Sequence, residues 1–341
     1  MNQISKFSPI TTDLYTVIAV VIPCYKVSKH ILGVIKRIGP EVQLIYIVDD
    51  ACPERTADLV KQECHDPRVR ILRHEKNRGV GAAVMTGYQA AMGDGASVIV
   101  KVDGDGQMDP SLIFDFVAPI LNNEADYTKG NRFFDPDDVK TMPTTRILGN
   151  AILSFISKMS SGYWNIFDPT NGYTAISADM VRYLPETKIS KRFFFESDML
   201  FRLNILKAKV IDIPMKAKYG DEVSNLRISR VLFDFGSKHF RNFIKRICYN
   251  YFLRDLSLAS IQLILGLFLL FFGIAFGSWQ WYRSIQTDVL ASAGTVMLSA
   301  LPIIIGVQFL IGFLAYDIAS VPSSMRSRRF PHITKKKVSD S

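Results

Sequence analysis

Three carboxylates crowd the ten residues KVDGDGQMDP at 101–110: Asp103, Asp105 and Asp109. They close the apolar run SVIVKV. Neighbouring carboxylates repel one another, so such a turn is either fully solvated or gathers a cation. A calcium loop counted from Asp103 would place Met108 where glycine is needed and Phe114 where a bidentate glutamate is needed, which excludes it. Asp-x-Asp at a strand end instead suits Mg²⁺ or Mn²⁺. These ions take one or two protein carboxylates and complete an octahedron with water and substrate phosphates. Asp103 and Asp105 are therefore predicted to hold a divalent ion bridged to a diphosphate. Asp109 is predicted to cap the helix DPSLIFDFV, with Pro110 in its first turn. Two more acidic pairs stand out: Asp49 and Asp50 after QLIYIV, and Glu196 and Asp198 in FFFESDML. Asp50 would also serve as a helix cap before ERTADLV, and the second pair would also favour the N-terminus of SDMLFRLNIL.

The elements that must position these groups alternate. VIAVVIPCY (17–25), QLIYIVDD (43–50), RVRILRH (68–74) and SVIVKVD (97–103) are short β-branched runs, separated by the helix-length stretches KHILGVIKRIG, ERTADLVKQEC and GVGAAVMTGYQAAMG. Continuous apolar strands alternating with helices predict a mostly parallel α/β sheet sandwiched by helices. In such sheets ligands bind beyond the carboxyl ends of the strands, where Asp49, Asp50, Asp103 and Asp105 lie.

The last third differs. The stretches 256–282 and 289–316 carry no charge, and each exceeds the ~20 residues needed to cross a bilayer. They predict a two-helix transmembrane hairpin joined by RSIQTD, with Trp279, Trp281 and Tyr282 as an interfacial belt. Lys and Arg cluster before the first span (Arg227 to Arg254) and after the second (Arg326 to Lys337), whereas the joining loop has Arg283 alone. The positive-inside rule puts both termini and the α/β domain in the cytoplasm, on an inner, cytoplasmic membrane. Residues 228–254 mix Phe, Leu and Ile with Lys and Arg and read as amphipathic helices on the inner surface. The expected organisation is a tail (1–16), a catalytic domain (17–227), interfacial helices (228–254), the hairpin (255–319) and a basic tail (320–341).

The chain has 341 residues, 48% hydrophobic, with a formal net charge of +9. Anionic lipid accounts for that charge, and no nucleic-acid motif accompanies it. The four cysteines, Cys24, Cys52, Cys64 and Cys248, form no C-x-x-C pair. This argues against a zinc site or a disulfide framework, and reduced thiols are expected. The N-terminus has no apolar core of a signal peptide.

VVIPCYK, IVDDACPERT, NRGVGAAVMTGY and VKVDGDGQMDP together resemble, in order and spacing, the signatures of family 2 glycosyltransferases of the GT-A fold. GNRF, DPTNGYTA, FFFESDML and the terminal hairpin resemble the polyprenyl-phosphate, dolichyl-phosphate mannose synthase-like branch. The resemblance implies that Pro23, Tyr25, Asp49, Asp50, Asn77, Arg78, Gly81 and Asp103 bind the nucleotide, beside Gly79. It implies that Asp103, Asp105 and Gln107 hold Mg²⁺ or Mn²⁺. Arg132 and Arg146 match acceptor-phosphate arginines, and Ser224 and Arg227 a loop that closes over the site. Asp105, Arg132, Glu196 and Asp198 are the candidate catalytic residues. The implied donor is a nucleotide sugar, UDP-linked, and the implied acceptor is polyprenyl phosphate. A homo-oligomer is expected.

A phosphate monoester is mostly a dianion at neutral pH and needs no base. It would attack the anomeric carbon directly and invert it. A sugar-hydroxyl acceptor would instead need Glu196 or Asp198 as general base. A third reading is a catalytically inactive membrane scaffold, which an intact D-x-D-x-Q disfavours.

Overall fold

The computed structural model describes residues 16–134, 144–216 and 228–326. One compact unit contains the chain up to Asn242 together with the stretch from Pro322, and the second is Phe243–Val321.

The first unit is built on a seven-stranded sheet. Its strands are β1 (Ile18–Cys24), β2 (Leu44–Asp49), β3 (Val69–Arg73), β4 (Val98–Lys101), β5 (Tyr127–Asn131), β6 (Thr174–Ser177) and β7 (Val210–Pro214), in the order β3-β2-β1-β4-β6-β5-β7. The pairs β3-β2-β1-β4 and β5-β7 are parallel, whereas β6 runs antiparallel to both β4 and β5. The sheet is thus mostly parallel with one reversed strand. All seven residues of β1 are buried, because a central parallel strand is covered on both faces. Ile18, Val20 and Ile22 join one core with Ile31 and Val34 of α1 (Ile31–Lys36), Val60 of α2 (Thr56–Glu63) and Phe116 of α4 (Ile113–Leu121). Val21 points the other way, onto α3 (Val80–Gly93), where Gly87 leaves room for it.

The second half of the unit adds α5 (Thr144–Ser161), α6 (Ala178–Val181) and α7 (Phe195–Ile205). Helix α5 exposes Leu148, Ile152, Phe155 and Ile156, an apolar stripe at helical spacing on the outer face. The sequence reading placed amphipathic structure only at 228–254. That stretch is one long helix, α8 (Ile228–Cys248), followed by a π-helical turn at Tyr249–Arg254.

In the second unit, α9 (Leu258–Thr287) and α10 (Ala293–Ala319) are long and apolar enough to cross a bilayer. Helix α9 runs through RSIQT, which sequence reading had assigned to the loop, and stops at Asp288 in the left-handed region. Polar residues at a helix end do not break the helix, and the αL cap does. Side chains at Gly266 and Gly273 would run into Leu310, Ile303 and the Ser299 carbonyl, so small residues let α9 and α10 approach closely. Asp317 of α10 is buried, takes both guanidinium nitrogens of Arg246 (2.6 and 2.9 Å), and accepts the Tyr251 hydroxyl at 2.6 Å.

Candidate active site

The carboxyl ends of β1, β2 and β4 open into a cleft of about 830 Å³. Pro23 and Tyr25 line it from the end of β1, Asp50 from β2, Asn77 and Gly79 from the loop before α3, and Asp103 and Asp105 from the turn after β4. Glu196 enters from the first turn of α7. Eight candidate residues far apart in sequence therefore line one cleft.

The two adjacent aspartates after β2 divide their work. Asp50 accepts the backbone N–H groups of Arg78 (2.8 Å) and Gly79 (2.7 Å), and pairs with His74 Nδ1 at 2.6 Å. It thereby ties the 77–79 loop to the sheet edge. Asp49 turns away from the cleft and accepts from Cys52 N (2.7 Å) and Ala57 N (2.9 Å), so Asp49, and not Asp50, caps α2. Gly79 has φ +94°, and a side chain there would meet the Lys191 carbonyl at 2.3 Å, so only glycine suits this turn. Arg78 contributes its backbone here, and Gly81 is buried in the first turn of α3.

Below the Asp-x-Asp turn lies a lysine. Lys101 is 1% exposed, and its Nζ lies 2.8 Å from Asp103 Oδ1, 3.3 Å from Glu196 Oε1 and 3.0 Å from the Gly172 carbonyl. Burial alone would push its ammonium down, but Asp103 and Glu196 together hold it above the ordinary lysine range. Asp105 Oδ1 accepts the N–H of Gln107 at 3.0 Å. Asp109 Oδ1 accepts from Ser111 N and Oγ, starting the 3₁₀ turn Pro110–Leu112 that leads into α4. Asp103 and Asp105 in the cleft are hard oxygen donors of the kind Mg²⁺ and Mn²⁺ take, with coordination completed by substrate oxygens, whereas Gln107 does not line the cleft. No cluster of three or more His, Cys, Asp or Glu with metal-site geometry occurs among the described residues.

A model of glycosyl transferase family 2 matches residues 19–184. The UDP-N-acetylglucosamine–dolichyl-phosphate N-acetylglucosaminyltransferase of Methanococcus voltae is 31% identical over 232 residues, covering 64% of this chain and 92% of that protein. The chain belongs to glycosyl transferase family 2. The undecaprenyl-phosphate mannosyltransferase of Micrococcus luteus is 28% identical over 57% of this chain and 81% of its own length. Among solved structures, mannosyl-3-phosphoglycerate synthase from Rubrobacter xylanophilus superposes with a TM-score of 0.50 at 15% identity, covering 71% of this chain and 77% of that one. The fold is thus the GT-A fold, and the protein is a glycosyltransferase.

Two further candidates of this glycosyltransferase, Arg132 and Asp198, do not line the cleft. Arg132, at the end of β5, donates Nε (2.7 Å) and Nη2 (3.1 Å) to the two oxygens of buried Asp168 and stacks beside Phe133. Asp198 is buried and accepts from Ser190 N (2.8 Å), Arg202 Nε (3.3 Å) and Asn242 Nδ2 (3.0 Å). It joins α7, α8 and the loop before α7. Arg146 belongs to the first turn of α5, and its side chain lies outside the described residues, as do Ser224 and Arg227.

Sequence reasoning missed Lys101, His74 and Asp168, and also Arg192 and Phe193, which line the cleft beside Glu196. Lys101 stands two residues before Asp103 and reads as the exposed end of a strand. Asp168 gave the one available signal, an acidic residue in the DPTNGY loop, but its partner is 36 residues away. A second buried lysine, Lys129 of β5, donates to the Asn171 carbonyl, and burial pulls it down to about 8. The two lysines grip adjacent carbonyls of the loop that carries Asp168.

Proposed function

We propose that this glycosyltransferase transfers one sugar from a nucleotide sugar, UDP-linked, to polyprenyl phosphate, with inversion at the anomeric carbon. The carrying observation is the match across nearly all of a relative that is named for a UDP-sugar donor and a dolichyl-phosphate acceptor. The geometry supports the reading on both sides. Pro23, Tyr25, Asp50, Asn77 and the 77–79 backbone form the nucleotide pocket at the sheet edge. On the acceptor side, the Arg132 fork is the cation type for a phosphate. Phe133 leads from it to an apolar cavity of about 300 Å³ lined by Ile147, Ala151, Phe155 and Phe167. A phosphate head beside an apolar pocket is the combination a polyprenyl phosphate requires.

Asp103 and Asp105, with Gln107, would hold the divalent ion. Bound there, Mg²⁺ or Mn²⁺ would neutralise charge building up on the departing diphosphate. Arg132 would hold the lipid phosphate so that one oxygen faces the anomeric carbon. That oxygen forms the new bond to carbon as the bond to the diphosphate breaks, and the nucleoside diphosphate leaves. No proton has to move, because the attacking phosphate is already ionised. Asp198 is enclosed by its own partners, and Glu196 contacts Lys101, which supports a positioning role for each. The two apolar helices support anchoring in a membrane, and the Lys and Arg distribution supports a cytoplasmic catalytic unit with both termini on that side.

The test is purified full-length protein in detergent with UDP- and GDP-sugars, a short-chain polyprenyl phosphate, and Mg²⁺ or Mn²⁺. An organic-soluble sugar lipid, absent with Asp105→Ala, is the expected product. Transfer to a glycan hydroxyl, abolished by Glu196→Gln, would replace this reading with the base-requiring one.

A further inference from the structure

We propose that Lys101 is the resident counter-ion of the donor site, and that its fixed charge makes the divalent ion enter together with the nucleotide diphosphate and not before it. The proposal rests on the assignment of Asp103 and Asp105 as metal carboxylates.

The ammonium cannot leave when a metal arrives. Its side chain is 1% exposed, and three oxygens hold it: Asp103 Oδ1, Glu196 Oε1 and the Gly172 carbonyl. The loop behind it is fixed as well, because Lys129 donates to the neighbouring Asn171 carbonyl and the N–H of Tyr173 donates to Asn171 Oδ1 at 2.9 Å. The packing leaves no slack. A side chain at Gly172 would stand 2.6 Å from both Asp103 Oδ2 and Lys101 Nζ. A cation held by Asp103 would therefore sit within about 6 Å of Nζ, given metal–oxygen distances near 2.1 Å. Two positive centres at that separation repel strongly, even at a water-like dielectric.

The same lysine is an asset once a nucleotide is present. Asp103, Asp105 and Glu196 formally outweigh the one charge of Lys101 that weakens their hold on a metal, and a diphosphate adds further negative charge, so the metal meets a much stronger attraction once the nucleotide is present. By linkage, the nucleotide tightens the metal and the metal tightens the nucleotide by the same factor. Lys101 sets the size of that factor. It also explains how Asp103 and Glu196 share one wall of the resting cleft, since the ammonium lies between them.

The experiment measures Mn²⁺ binding to full-length protein in detergent by the electron paramagnetic resonance signal of free Mn²⁺, with no nucleotide and then with UDP or GDP. Wild type is expected to bind Mn²⁺ weakly alone and tightly with a nucleotide. Lys101→Met should tighten Mn²⁺ binding without nucleotide by at least about tenfold, the low end of the Coulomb term, and shrink the nucleotide effect by a similar factor. Lys101→Arg should keep the wild-type pattern. Lys101→Gln, which retains hydrogen bonding without charge, should follow Lys101→Met and covers the case in which the methionine variant does not fold. Unchanged or weaker bare Mn²⁺ binding in the uncharged variants, with the nucleotide effect intact, overturns the role of Lys101 alone. Absence of Mn²⁺ binding to wild type with either nucleotide overturns the metal assignment itself, and this proposal with it.

Discussion

Asp168→Asn tests whether Arg132 works as a pre-set fork. The substitution keeps the shape of a 1% exposed side chain but removes the charge that takes two guanidinium nitrogens at 2.7 and 3.1 Å. A fully buried pair broken from one side costs about 3–5 kcal/mol. The Arg132 side chain is 32% exposed and can turn to water, so the stability cost should fall to about 1–2 kcal/mol. The larger effect should be on the acceptor. A guanidinium that is no longer aimed loses its bidentate geometry, and kcat/KM for polyprenyl phosphate should drop about 10- to 100-fold, or about 1.4–2.8 kcal/mol. The KM for the nucleotide sugar should not move, because the pair does not line the donor cleft. Steady-state kinetics with each substrate varied in turn reads this directly. A cycle with Arg132→Lys adds a second check: if Asp168 acts through Arg132, the double variant should be little worse than the worse single one. Additive losses, or an equal rise in donor KM, would refute the reasoning.

Three further expectations follow from other contacts. Asp317→Asn leaves buried Arg246 without a counter-charge and should lower stability in detergent by about 3–5 kcal/mol, whereas Arg246→Met with Asp317→Leu should recover much of it; thermal melts of the single and double variants decide. Gly172→Ala forces a Cβ to within 2.6 Å of Lys101 and Asp103, and should cost about 1–3 kcal/mol by overpacking while raising donor KM; a variant with wild-type donor kinetics would show that the wall yields. Burial pushes Asp212 up to about 6 and His239 down to about 4. The Asp212 contribution is present below pH 4 and lost as pH rises through about 6, whereas the His239 contribution is present above pH 6.5 and lost as pH falls through about 4. Asp212→Asn should therefore raise Tm at pH 7.5 by about 2–4 °C and leave it unchanged near pH 4, and His239→Gln should flatten the acid side of the Tm–pH curve; equal shifts at both pH values would count against the assignment.

The sequence by itself determined what short-range chemistry can determine. Runs such as VIAVVIP and SVIVKV announced buried parallel strands, because a strand covered on both faces has no polar position to lose. The aspartates that close QLIYIV and SVIVKV announced the sheet edge where the cleft opens. The two uncharged stretches announced two long apolar helices, because length and apolarity are properties of the chain alone. Only the tertiary structure decided which of two adjacent aspartates faces the cleft. Asp49 and Asp50 differ by one step along a pleat, and the caps and N–H groups that claim them belong to other segments. β5 was illegible for a related reason. Its residues YTKGN lack the apolar run that marks β1, β2 and β4, and they are buried where Asn171 and Phe116 supply carbonyls to Lys129 and Thr128 from distant parts of the chain. Lys101 is the sharpest case. A lysine in sequence is a solvated charge by default; here Asp103, Glu196 and Gly172 surround it, and that environment exists only once residues 101, 172 and 196 have come together.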